Sequence, residues 1–411
     1  MISWLLMGLS FTLLIAGWLG WLGWRLIRPL GLEGSAHRAA WGVWWALALV
    51  IAGAMVLRYV VGAAAWVIAL QWIGFTLMGF WCLLTGLVLG RDALLLIARL
   101  GARLAGAPEG QGLRSPERRR FLTRSTNAAL VAGAAALSAD GVRRARRTAA
   151  VVDVTVPIAD LPQELDGLVI VQLSDIHVGD TIGRSFVRRI VDRVATLDAD
   201  LIVITGDLVD GRVRELRDDV APIAELIAPL GVYFITGNHE YYSGAEAWVD
   251  HLRSLGIRVL VDQHEVLEHR GARLVLAGIA DHDAPRFVPG HLSDPAVALA
   301  GAPADVPRIL LAHQPRDYAI AQGLGVDLQL SGHTHGGQIW PFGLLVPLQQ
   351  RFVAGLHRLP DGGWLYVSRG TGYWGPPMRV GAPSEITRLT LRRAGGPERT
   401  ARTNSSSEGG A

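Results

Sequence analysis

Nine residues able to bind a metal fall in five short blocks: Asp175 and His177, Asp207 and Asp210, Asn238 and His239, His313 alone, then His333 and His335. Imidazole and carboxylate together suit divalent transition metals, whereas all-oxygen sites suit calcium or magnesium. In Asp175-Ile176-His177 and in His333-Thr334-His335 the two donors are two residues apart. At a strand end that spacing puts both side chains on one face. One shared carboxylate with three further ligands on each side would make a two-metal centre, its ions ~3.5–4 Å apart. Taken singly, each block has an ordinary reading. A lone histidine is usually a satisfied core or surface side chain, and Asp or Asn after a strand commonly caps a helix or makes a turn. Five blocks together, each at the end of an apolar run, point to a site.

The elements that must position these residues are legible around them. Short apolar runs end at each block: Leu168–Leu173 before Asp175, Leu201–Thr205 before Asp207, Val232–Thr236 before Asn238, Ile309–Ala312 before His313, and Val326–Leu330 before His333. The steps from Asp175 to Asp207 and from Asp207 to Asn238 are 32 and 31 residues. That is the length of a strand–helix–strand unit. Between them, Phe186, Val187, Ile190, Val191 and Val194 recur at helical spacing, as do Leu216, Val220, Ile223 and Ile227. The second half therefore reads as an α/β domain whose strands deliver polar residues at their C-terminal ends, the edge where open α/β sheets build sites.

These blocks carry a resemblance. Asp175-Ile176-His177, Gly206-Asp207-Leu208-Val209-Asp210, Gly237-Asn238-His239-Glu240, His313 and Gly332-His333-Thr334-His335 resemble, in order and approximate spacing, the five signature blocks of the calcineurin-like metallophosphoesterases. The resemblance covers about Val151 to Leu391. The longer string Gly332-His333-Thr334-His335-Gly336-Gly337-Gln338-Ile339 is similar to the bacterial membrane-associated or exported branch, which includes phosphodiesterases. The resemblance implies two mixed β-sheets sandwiched between helices. It also implies that Asp175, His177 and His335 hold one ion, that Asn238, His313 and His333 hold a second, and that Asp207 bridges them. His239 would then face the substrate as electrostatic stabiliser or general acid, with Asp210 orienting its ring. The two divalent ions would be manganese, iron or zinc, all of which accept these ligands.

The 411 residues hold more than one domain. Half are hydrophobic and 18% charged. Residues 1–147 hold 16 Arg against 5 acids, and residues 148–411 hold 23 against 31, so a net charge of +3 divides into +11 and −8. An acidic catalytic half with no basic aromatic stripe is not expected to bind nucleic acid. The single cysteine, Cys82, excludes an intramolecular disulfide and a cysteine-based zinc site. Only five charged residues occur in the first 90. Uncharged runs at Trp4–Trp24, Ala39–Leu57 and Tyr59–Gly90 predict three membrane spans within residues 1–90, and ten of the 14 tryptophans lie at or before Trp81. The arginine-rich linkers 25–40 and 90–125 predict cytoplasmic loops by the positive-inside rule.

Residues 91–147 form a basic linker. Within it Arg118-Arg119-Arg120-Phe121-Leu122, followed by uncharged Ser125–Ala139, resembles a twin-arginine export signal with a short apolar segment that could be a fourth span. Residues 148–394 are then the metallophosphoesterase domain, extracytoplasmic on a multi-pass membrane protein, and residues 395–411 a disordered tail. Arg369 and Arg379 flank a Gly/Pro-rich loop with Tyr373 and Trp374, and are candidates for binding a substrate phosphate. Membrane tethering makes a lipid-linked or envelope phosphodiester the expected substrate. A nuclease or cyclic-nucleotide diesterase of the same fold, and a non-catalytic metal-stabilised membrane receptor, are the alternatives.

Overall fold

A computed structural model of the chain describes residues 2–106 and 115–394. The tail expected to be disordered, and Arg114 of the basic linker, lie outside the described residues. The chain divides into two compact units.

The first unit runs to Arg143 and takes in two short segments from far along the chain, Ile339–Pro341 and Gly375–Val380. Its helices are α1 (Ile2–Ile27), α2 (Gly34–Val61), α3 (Ala65–Leu104) and α4 (Pro116–Ala145). Gly62, at φ +89°, ends α2 and separates it from α3. α2 and α3 are long and apolar enough to cross a membrane. α3 continues beyond Gly90 to Leu104, and the twin-arginine-like segment lies inside the uninterrupted α4. Leu19, Leu22, Trp81, Leu84, Ile339 and Met378 are among the buried residues of this unit's core. Arg25 forms an ion pair with Asp92, Arg91 donates to Asn127 Oδ1, and Asn127 Nδ2 donates to Arg25 O over 3.2 Å. The polar ends of the α1 and α3 apolar runs therefore meet at one level beside α4.

The second unit begins at Arg144 and holds two six-stranded sheets. In chain order the strands are β1 (Ala150–Ala159), β2 (Val169–Leu173), β3 (Leu201–Thr205), β4 (Val232–Ile235), β5 (Arg258–Val259), β6 (Gln263–His269), β7 (Ala272–Gly278), β8 (Arg308–Leu311), β9 (Leu328–Ser331), β10 (Gly355–Arg358), β11 (Trp364–Val367) and β12 (Glu385–Ala394). One sheet runs β1-β12-β2-β3-β4-β5, with β2 to β5 parallel and β12 antiparallel to β2. The other runs β10-β11-β9-β8-β7-β6, parallel from β11 to β7 and antiparallel at both outer pairs.

Alternation along the strands fills two layers. Leu201 and Val203 face inward with Ile309, Leu311, Leu328 and Leu330 of the opposite sheet. Ile202 and Ile204 face outward beneath α5 (Arg184–Val194), α6 (Val213–Val220) and a later helix carrying Trp248. All five apolar residues expected on α5 are buried, each worth ~1.5–3 kcal/mol of transfer free energy. The expected α6 face is shorter than its spacing suggested. A tighter turn over Ala221–Glu225, with Pro222 at its start, breaks the register. Leu226 is buried there, while Ile227 is exposed. Two mixed sheets between helices is the architecture that the resemblance implied.

Candidate metal centre

All five strands end beside their blocks, and three of the turns that follow, at Asp175, Asp207 and His333, are strained. Asp175, His177, Asp207, His333 and His335 have φ between 52° and 69°, the left-handed region that side-chain-bearing residues seldom occupy. Such strain persists only where surroundings over-determine it, and it clusters at functional sites. The turns are also packed too closely for a side chain at Gly332. A Cβ there would fall 2.0 Å from Ser174 Oγ and 2.2 Å from Asp175 Oδ2.

The side chains converge in two groups joined by one carboxylate. Asp175, His177 and His335 form the first, with His177 Nε2 and His335 Nε2 only 3.0 Å apart and His335 Nε2 at 3.5 Å from Asp175 Oδ1. Asp207, His313 and His333 form the second. Asn238 Oδ1 lies 3.1 Å from His333 Nδ1, and His313 Nε2 lies 3.3 Å from that same nitrogen. Asp207 Oδ2 sits 3.1 Å from His313 Nε2 and 3.7 Å from His177 Nε2, so it reaches both groups.

The donor set suits cations. Asp210 Oδ1 engages His177 Nδ1 at 2.9 Å, and the Thr205 carbonyl engages His313 Nδ1 at 2.8 Å. Each ring thereby presents Nε2 inward, the arrangement by which outer partners orient metal-binding histidines. Burial, ahead of the charge of His313, pushes His333 down to about 3. Inward-facing imidazole nitrogens as close as 3.0 and 3.3 Å want a common positive partner.

His239 belongs to neither of these groups but clusters with His177 and Asp210 in a third, its ring 4.6 Å from that of His177. Its Nδ1 is 2.6 Å from Asp210 Oδ1, and its backbone N–H donates to Asp207 Oδ1 over 2.9 Å. Burial disfavours charge on this ring, but Asp207 and Asp210 prevail and raise its pKa to about 9. Asp210 is held below the usual carboxylate range by the charge of His177 and by hydrogen bonds from both rings, against the cost of burial.

Of the two arginines singled out, Arg369 donates to Glu385 Oε2 over 2.7 Å, so a buried carboxylate matches its charge. Arg379 belongs to the helical unit, where it is buried and its amide donates to Gly141 O. The aromatic loop divides. Tyr373 turns inward, its hydroxyl donating to Thr181 O, while the half-exposed Trp374 ring packs edge-on to His239 at 5.5 Å. His282 pairs with Asp317 at 2.6 Å.

Two residues escaped the reading of the sequence. Glu240 accepts from the amides of Gly237, Asp207, Leu208 and Val209 at 2.7–3.3 Å, locking two ligand-bearing turns together. Tyr242 covers His239 at 5.2 Å. It stands four residues after Asn238 on the short helix α7 (Asn238–Ser243), so helical spacing was a usable signal.

Residues 168–337 match the family described as calcineurin-like phosphoesterase. The chain is 43% identical over 267 residues to a transmembrane protein with metallophosphoesterase domain from Danio rerio, covering 63% of this chain and 61% of that one. It is 39% identical to the protein of the same description from Bos taurus, covering 77% and 70%. An uncharacterized metallophosphoesterase of Aquifex aeolicus is 35% identical, covering 59% of this chain and 91% of its own. Under two thirds of the Danio rerio protein is thus spanned. With 70% of the bovine protein spanned at 39% identity, and the signature blocks drawn into one cluster, the chain belongs to the calcineurin-like metallophosphoesterases.

Proposed function

We propose that this protein is a metal-dependent phosphoester hydrolase, and specifically a phosphodiesterase acting on a membrane- or envelope-associated diester. The observation that carries the reading is the pair of donor groups sharing Asp207, with His239 held beside them by Asp210. Asp175, His177 and His335 would hold one divalent ion, and Asn238, His313 and His333 the other, with Asp207 common to both. Ions bound there would supply Lewis acidity toward the phosphoryl oxygens and lower the pKa of water to yield a hydroxide nucleophile near neutral pH.

The chain's own groups do the rest. His239 protonates the departing oxygen, and Asp210 accepts from Nδ1 so that Nε2 carries the mobile proton. Trp374 and Tyr242 flank His239 and offer apolar surface to the leaving group. Manganese, iron and zinc all fit these donors. The apolar helices α2 and α3 support a multi-pass membrane protein. A tether of this kind raises the effective concentration of a substrate held in the same surface.

The test is hydrolysis by the full chain in detergent, assayed on bis-p-nitrophenyl phosphate and p-nitrophenyl phosphate after chelation and after return of manganese. Restored diester turnover exceeding monoester turnover is expected. Monoester preference would overturn the diesterase assignment. A metal-loaded, folded chain inactive on both, and on micellar phosphodiesters, would overturn hydrolysis itself.

A further inference from the structure

The segment Gln338–Gln350 contains no charged residue across 13 positions. Within it Phe342–Leu344 and Val346–Leu348 form two tight helical turns whose apolar side chains point outward. Leu344 is 71% exposed, Leu345 56% and Leu348 85%. Soluble surfaces seldom leave such a contiguous apolar cluster uncovered. The cluster is not a loose loop. Gly337, in the turn that begins with His335, packs on Gly343, where a Cβ would fall 2.2 Å from the Gly343 Cα. Gln338 clasps Trp374, donating to its carbonyl at 2.7 Å and accepting from its amide at 3.0 Å. The leucines are thus anchored to the turn that carries one metal-site histidine and to the ring that covers His239.

What covers them follows from the residues just before. Ile339 lies in the buried core of the helical unit with Leu19, Leu22 and Trp81. Trp340 N–H donates to Val380 O over 2.8 Å, joining the two segments that this unit takes in. On α3, Gly79 and Gly86 are two turns apart and share a face. A Cβ at Gly86 would fall 2.5 Å from Pro341 Cδ, and one at Gly79 would fall 2.5 Å from Met378. Gly86 lies inside the 32-residue uncharged run Tyr59–Gly90, only ~6 Å along the axis from its polar end. Pro341 therefore packs against the part of α3 that a bilayer would surround, and Phe342 follows it by one peptide bond.

We propose that Phe342–Leu348 is a bilayer-inserting loop, with Leu344, Leu345 and Leu348 seated at the boundary of headgroups and acyl chains. The inference rests on the reading that α3 crosses a membrane, but not on any catalytic assignment. Exposed Arg351, stacked on Phe352 at 5.5 Å, ends the uncharged stretch where a cation would meet lipid phosphate.

The unmodified full chain is reconstituted in phospholipid nanodiscs containing a diazirine-bearing phospholipid, irradiated, digested and mapped by mass spectrometry. Adducts are expected on the peptide spanning residues 342–350 as well as on α2 and α3. Adducts confined to the helices would overturn the inserted loop while leaving the spans intact. Absence of adducts from the helices too would overturn both. A second readout places an environment-sensitive fluorophore at Leu348→Cys or Leu344→Cys in a Cys82→Ser background. Blue-shifted emission, quenched at least twofold by shallow doxyl lipid and unaffected by aqueous iodide, is expected. Iodide quenching, or protection from both quenchers as a second copy or another protein would give, would overturn it.

Discussion

Asp210 Oδ1 lies 2.6 Å from His239 Nδ1, and this same oxygen is 2.9 Å from His177 Nδ1. One carboxylate oxygen thus orients a ring assigned to the metal and a ring assigned to the substrate. Substitutions at the two ends should separate. His239→Ala should lower kcat by roughly 10²–10⁴-fold with metal content unchanged. Asp210→Asn should lower kcat and also weaken metal affinity by roughly 10–100-fold. Turnover and metal content measured on both variants check this, and loss of metal from His239→Ala would contradict the division of roles.

Glu240 predicts a structural failure at the site. Its carboxylate accepts from four backbone amides and is fully buried, and burial together with Asp207 pushes its pKa up to about 8. Glu240→Ala would leave those amides unsatisfied. A loss of about 3 kcal/mol is expected, read as a drop of roughly 6–12 °C in the melting temperature of the catalytic unit. An unchanged melt would show that water replaces the carboxylate without cost.

Close approach at Gly332 predicts metal loss without gross unfolding. Its α-hydrogen side faces Ser174 Oγ and Asp175 Oδ2. Gly332→Ala should displace the Asp175 carboxylate and reduce bound metal from two ions toward one per chain, while Gly290→Ala, in open space, should change nothing. Elemental analysis of the two purified variants decides the matter.

A pH dependence is expected at His291, whose Nδ1 is 2.6 Å from the Tyr241 hydroxyl. Burial lowers its pKa from the ordinary imidazole value. The folded state then refuses a proton that the unfolded chain accepts, so the contribution is complete above ~6.5 and is lost as pH falls toward the folded pKa. The stability gap between the natural chain and His291→Asn should be largest at pH 8 and shrink by pH 5.5. Denaturant melts at the two pH values measure it, and a gap that widens in acid would reverse the sign.

Much of the centre was legible in advance because it is written locally. An apolar run of four to six residues followed by Asp, Asn or His, recurring at 31 and 32 residues, specifies strand, turn and the edge that carries chemistry. Alternation then determines which side chains enter each layer, as with Leu201 and Val203 against Ile202 and Ile204. The α6 region shows the limit of periodicity: Ile227 continued the spacing, but Pro222 started a tighter turn.

Other relationships join residues far apart in the chain, and no local pattern encodes them. Strand order set β12 between β1 and β2 and placed Glu385 against Arg369, which matches the charge of an arginine otherwise eligible to bind phosphate. Backbone direction in one loop sent Tyr373 inward and Trp374 to His239. The packing of Pro341 and Met378 on α3 pairs positions more than 250 residues apart. Residue types and spacing determined which chemistry the chain can perform. Tertiary packing decided which oxygen orients which ring, which arginine is already matched, and which leucines remain uncovered, because those outcomes depend on close approach between strands and loops whose separation in sequence carries no period.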